Sequence, residues 1–161
     1  MKSRINIITL LVAFSLAFAC LTTSAFAVPN DSVALDGLTE GKILFDINLS
    51  DATKLPLYLK VIQQTYDGLK AQDVTPYFVV AFRGMTVTFI TNDAADAALK
   101  TQISTLAGLA NVRIEACSVA TGLLGVDNAE ILSEINVVGN TFISAAGFGS
   151  STKGYATIPI M

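Results

Sequence analysis

The feature that most constrains this chain is an alternation between two hydrophobic patterns, running from Ile43 to Ile160. The stretches "ILFDINL" (43–49) and "YFVVAF" (77–82) are nearly unbroken apolar runs, rich in aromatic and β-branched residues. Runs of that kind suit strands buried on both faces, as in a parallel sheet. Between them, Lys54–Lys70 places Leu55, Leu59, Ile62, Tyr66 and Leu69 on one helical stripe, with Asp51 positioned to cap it. The pattern then repeats. A helix is predicted from a cap at Asn92 or Asp93 to about Gly108, with Ala97, Ile103, Leu106 and Leu109 as its apolar side. "NVRIEAC" (111–117) is the next strand, a short helix near Ala129–Ser133 is capped by Asn128, and "NVV" (136–138) is a brief strand. A helix within 140–152 and a last strand in "GYATIPI" complete the series; "MTVTFIT" (85–91) fits either a strand or the entry to a helix. Strands alternating with helices predict βαβ units: an α/β domain in three layers, with about five mostly parallel strands between helices.

The N-terminus has a different character. Lys2 and Arg4 precede an apolar stretch from Ile5 to about Cys20, and Ala25-Phe26-Ala27 fits an A-x-A cleavage site. This predicts a secretory signal peptide over 1–27, cut after Ala27, and a periplasmic protein. An alternative start is a lipidated Cys20, since "LAFAC" loosely resembles a lipoprotein box; only then would the protein be membrane-anchored. Cleavage after Ala27 leaves 134 residues, the size of one domain. Residues 28–40 are polar and turn-rich and are expected to form a loose arm, with the domain spanning 41–161.

Composition excludes several classes of chemistry. The formal charge of −3 becomes −5 without Lys2 and Arg4, and no basic patch stands out, which argues against nucleic acid as a partner. The chain has no histidine. That removes Ser–His–Asp and Cys–His mechanisms and the usual zinc sites, so neither metal nor cofactor is expected. Cys117 is the one cysteine left after cleavage, so no internal disulfide can form. It is either a small apolar core residue or a reactive thiol.

In a parallel α/β sheet, ligands bind beyond the carboxyl ends of the strands. Asn48 and Ser50 end the first strand, Arg83 and Gly84 end the second, and Cys117 ends the third, followed by Ser118 and Thr121. Cys117 is the candidate catalytic residue; Arg83, Gly84, Asn48, Ser118 and Thr121 are the candidate substrate-binding residues. A guanidinium near the thiol would favour the thiolate and attract an anionic sulfur species. Arginine cannot serve as a base in its protonated form, so the set suits sulfur transfer better than hydrolysis. "GFGSSTKG" (147–154) lacks the spacing of a phosphate-binding loop.

Four pieces in order carry a family resemblance: "KILFDINLSDATKLPLYLKVI", "YFVVAFRG", "VRIEAC" and "KGYATIPI". Over about residues 41–160 the chain resembles the DsrE/DsrF-like family of small sulfur-relay proteins, in its exported single-domain branch. The resemblance implies a flavodoxin-like sandwich, assembly into homo-oligomers, and a cysteine at Cys117 that carries sulfur as a persulfide. The partners so implied are a sulfur donor or acceptor protein, or a small sulfur species. The sequence departs from the family at Arg83, where the family tends to have histidine; the positive charge is kept and the base is not. A tract of small residues around Phe142 and Phe148 is the candidate surface for self-association. The alternative function is a non-catalytic oligomeric module that binds a small anion or a protein, with Cys117 structural.

Overall fold

The continuous apolar runs become the central strands of a parallel sheet in the computed structural model, which describes residues 30–161. The expected signal peptide, its cleavage site and the Cys20 alternative lie outside the described residues. The strands are β1 (Glu40–Ile47), β2 (Thr75–Phe82), β3 (Val112–Cys117), β4 (Asn136–Val138) and β5 (Ala156–Ile160). All four pairings are parallel, in the order β4-β3-β2-β1-β5. The chain thus walks from β1 to β4 in one direction and then returns to the far side of β1. Helices flank the sheet, and the fold is a flavodoxin-like α/β sandwich.

The alternation of side chains in each strand sorts the residues onto two faces. Phe45 and Ile47 of β1, Phe78, Val80 and Phe82 of β2, and Ile114 and Ala116 of β3 face the main core. Helix α2 (Leu55–Ala71) covers them with Leu55, Leu59, Ile62 and Tyr66, the stripe expected from its sequence. Pro56 sits in its first turn, where a missing N–H costs nothing. Helix α3 (Ala97–Ala107) adds Leu99, Ile103 and Leu106. On the opposite face, Leu44, Val79 and Ala81 pack against Ala145 and Phe148 of α5 (Thr141–Phe148) and against Tyr155.

Several local readings change. Helix α3 begins at Ala97, not at Asn92 or Asp93, because Asp96 accepts from Leu99 N–H at 2.8 Å and so supplies the cap. Ala97 is therefore an exposed first-turn residue, not part of the apolar stripe. Residues 85–91 form neither strand nor α-helix: Gly84–Phe89 is a 3₁₀ turn. Thr86 within it accepts from Leu49 N–H at 2.7 Å, tying the end of β2 to the end of β1. Near Ala129–Ser133 there is only a 3₁₀ turn, Asn128–Glu130, capped by Asp127 and not by Asn128. A short helix, α4 (Ser118–Leu124), starts directly after β3, and the C-terminal helix stops at Phe148. Part of the expected loose arm is ordered: Ser32–Leu35 makes one helical turn, α1, and β1 begins at Glu40.

Candidate functional site

A cleft of about 420 Å³ opens at the carboxyl ends of β1, β2 and β3. Asn48, Arg83, Gly84 and Cys117 line it. These are four of the six residues singled out in the sequence, and sheet topology is what gathers them, since each ends or follows a neighbouring strand. The start of α5 contributes Asn140, Thr141 and Phe142, and α4 contributes Val119, Ala120, Leu123 and Leu124. Met85 completes the wall.

Cys117 is 5 % exposed and packs with Val87 and Ala120. It is the N-cap residue of α4, so the first free N–H groups of that helix lie next to its side chain. Burial pushes the thiol up. The backbone N–H of Thr141, the N–H of Ala120, the Thr141 hydroxyl and the N–H of Val119 all act against burial and outweigh it, so the thiol is held below its ordinary value. The Val119 N–H also donates to the Gly139 carbonyl at 3.3 Å, which ties the start of α4 to the turn ahead of α5. The Thr141 hydroxyl is itself buried, 2 % exposed, and has no hydrogen-bond partner; it lines the same cleft as Cys117 and helps hold the thiol below its ordinary value.

Arg83 has a partner that the sequence did not name. Its Nε and Nη2 donate to the two carboxylate oxygens of Asp46 at 2.6 and 2.9 Å. The guanidinium also lies over the Phe142 ring, 5.1 Å from its centre. Hydrogen bonding to Asp46 raises the arginine's pKa first and foremost; the charge on Cys117 is a smaller contribution in the same direction. The thiol is thus lowered mainly by N–H and O–H groups, with the guanidinium's charge largely matched by Asp46. The sequence offered no sign of this, because Asp46 looks like an interruption of an apolar run. Its position two residues before Asn48 puts it on the same strand face as Leu44, opposite the main core.

Gly84 has φ +54, and a Cβ there would collide with the Asn48 side-chain oxygen. Only glycine lets the chain turn out of β2 so close to Asn48. Ser118 and Thr121 do not line the cleft. The Thr121 hydroxyl bonds to the Asn128 side-chain oxygen at 2.5 Å, and Asn128 Nδ2 donates to Ser118 Oγ at 3.0 Å. Both residues hold the loop after α4 in place, with their backs to the site. Ser50 is exposed and also lies outside the lining.

Thr141 and the apolar walls escaped sequence reading. One clue existed: Cys117 pairs in register with Val138 across β3 and β4, so the residues just after β4 arrive beside the residues just after Cys117. Among the described residues no cluster of His, Cys, Asp or Glu is suited to a metal ion, and no helix is long and apolar enough to cross a membrane.

No family model matches the chain, and no curated protein does. Its fold is similar to that of a protein of unknown function from Methanobacterium thermoautotrophicum, with 22 % identity and a TM-score of 0.60. The match covers 74 % of this chain and 99 % of that one. A likeness at that identity establishes the fold alone, and it agrees with the three-layer parallel arrangement described above.

Proposed function

We propose that the protein is an exported sulfur carrier or sulfurtransferase-like protein of the DsrE/DsrF-like kind, accepting sulfur as a persulfide on Cys117. The observation that carries this reading is the thiol at the N-cap of α4, in a cleft also lined by the buried, unpartnered Thr141 hydroxyl. A thiolate is the nucleophile in sulfur exchange. Attack on the terminal sulfur of a donor R–S–SH forms a new S–S bond on Cys117 and breaks the donor's S–S bond. The electron pair leaves with R–S⁻, and the product is the Cys117 persulfide; atoms and charge balance without an external oxidant. The N–H and O–H groups there would then stabilise the persulfide anion.

Intact-mass measurement after exposure to inorganic polysulfide tests this. A gain of one or more sulfur atoms is expected, and it should vanish in Cys117→Ser; an unchanged mass in the native protein overturns the reading. The burial of Cys117 favours a second reading, a binding module in which the cysteine only fills space. Alkylation by a small reagent at pH 7 separates the two, since a thiol that only fills space reacts slowly.

Self-association is part of the proposal. Phe142 and Ile143 on α5 are 63 % and 73 % exposed, which is unusual for large apolar side chains on a lone protomer's surface. Light scattering at micromolar concentration should give more than one copy per particle, and a monomer would remove this part.

A further inference from the structure

The walls of the cleft say what kind of molecule fits in it. Met85, Val119, Leu123, Leu124 and Phe142 are 38–82 % exposed, and all five line the same cavity. Arg83 is the one charged side chain among the lining residues, and its charge is already matched by Asp46, which takes its Nε–H and one Nη2–H. A bidentate pair of this kind is close to neutral overall, so it attracts a second anion only weakly. Cys117, at the start of α4, and the buried Thr141 hydroxyl line the same cavity, and the N–H and O–H groups there favour the thiolate over the thiol. The buried Thr141 hydroxyl has no hydrogen-bond partner, so it is available to a group bound in the cleft. The cavity therefore favours negative charge at Cys117, and apart from Arg83, Asn48, Asn140 and Thr141 its walls are apolar. Its volume, about 420 Å³, is in the range of small-molecule sites.

We propose that the cleft takes a small organic hydrodisulfide with an uncharged apolar substituent as its sulfur donor, the sulfane sulfur at Cys117 and the substituent against Met85, Val119, Leu123, Leu124 and Phe142. This rests on the persulfide reading of Cys117 and names the donor class for it. The transfer is the balanced one given above, with the apolar thiolate R–S⁻ as leaving group. A donor with a charged substituent must bury that charge among apolar side chains with no free counter-ion, which is unfavourable.

A matched pair of donors tests the inference: benzyl hydrodisulfide and 4-carboxybenzyl hydrodisulfide, alike in size and in reacting sulfur and differing by one charge. The rate of the single-sulfur mass gain on Cys117 is read for each, with inorganic polysulfide as a third donor. The benzyl compound is expected to react about tenfold faster than its carboxylate analogue, the cost of bringing one charge against a part-exposed apolar wall. Leu123→Lys, at an 82 % exposed position, should narrow that ratio from both sides, slowing the first donor and speeding the second. Equal rates for the pair in the native protein, with polysulfide still loading Cys117, overturn the donor class and leave the persulfide reading standing. No mass gain from any of the three overturns both.

Discussion

The two faces of the sheet are built on different rules. One carries Phe45, Phe78 and Phe82 under two helices, with Phe78 meeting the rings of both Phe45 and Tyr66 edge-on at 5.1 and 5.8 Å. Every residue there is apolar, and the stripe on α2 was legible as such. The other face alternates apolar residues with Asp46, Arg83, Glu115 and Cys117, under a helix of eight residues. Glu115 is only 2 % exposed; Arg113 bonds one of its oxygens and the other has no partner. A sheet can place chemistry on one face because the other supplies the stability. Substitutions on the first face should thus unfold the protein, and those on the second should alter the thiol first.

The largest effect is expected at Phe78→Ala. Phe78 is 1 % exposed and its ring joins two aromatic contacts, so its loss leaves a cavity costing about 3–5 kcal/mol. Urea unfolding monitored by circular dichroism measures it, and a cost below about 1 kcal/mol would contradict the division between the faces. Next comes Gly84→Ala at the mouth of the cleft. A left-handed backbone and a collision with Asn48 combine there, for an expected cost of about 1–3 kcal/mol. The displaced Asn48 should also change the alkylation rate of Cys117, which Phe78→Ala should not do while the protein remains folded.

Thr141→Val should move the thiol more than the fold. It removes the hydroxyl that helps hold the Cys117 thiol down and keeps the backbone N–H. The inflection in alkylation rate against pH should rise toward the ordinary thiol value, and the rate at pH 7 should fall about two- to tenfold, as for one lost hydrogen bond. Stability has a corresponding pH dependence. The native thiol sits below its ordinary value, so the unfolded chain holds the proton to higher pH. Stability should therefore rise with pH across that interval, be fully present above the unfolded thiol's pKa, and fall as pH drops through the native one. Cys117→Ser should flatten this part of the curve; an unchanged slope would mean that the donors do not favour the thiolate.

The contrast between the faces also explains what could be read from the sequence. Strands buried on both sides appear as unbroken apolar runs, which is why β1 and β2 stood out. The first residues of β1, Glu40-Gly41-Lys42, did not, because they precede the point where β5 begins to pair, at Ile43. Helix α4, "SVATGLL", has two β-branched residues and a glycine in seven positions and no periodic stripe long enough to register. The site was half legible. Strand ends named Asn48, Arg83, Gly84 and Cys117, since the position along a strand is a local property. Thr141 lies 24 residues from Cys117 and reaches it only through the β3–β4 register. The roles of Ser118 and Thr121 depended on which way a seven-residue helix turns, and nothing local decides that.

The smallest effect should come from the charge that looked most important. In the sequence, Arg83 was the natural agent for lowering the thiol's pKa. In the structure its guanidinium is held by Asp46 in a pair whose two side chains are each 17 % exposed, and such a pair presents little net charge to its surroundings. Arg83→Met alone is a poor test, because it leaves the Asp46 carboxylate part-buried and unpaired, and that negative charge would itself raise the thiol. Removing both charges is cleaner. In Asp46→Asn/Arg83→Met the fold should change by no more than about 1–2 kcal/mol, since exchanging a largely buried ion pair for neutral side chains of similar size is often close to neutral. The pH profile of alkylation should nearly superimpose on that of the native protein, while Thr141→Val shifts it. A larger shift in the double variant than in Thr141→Val would reverse the order of these two influences and make the guanidinium, not the hydrogen-bond donors, the main support of the thiolate.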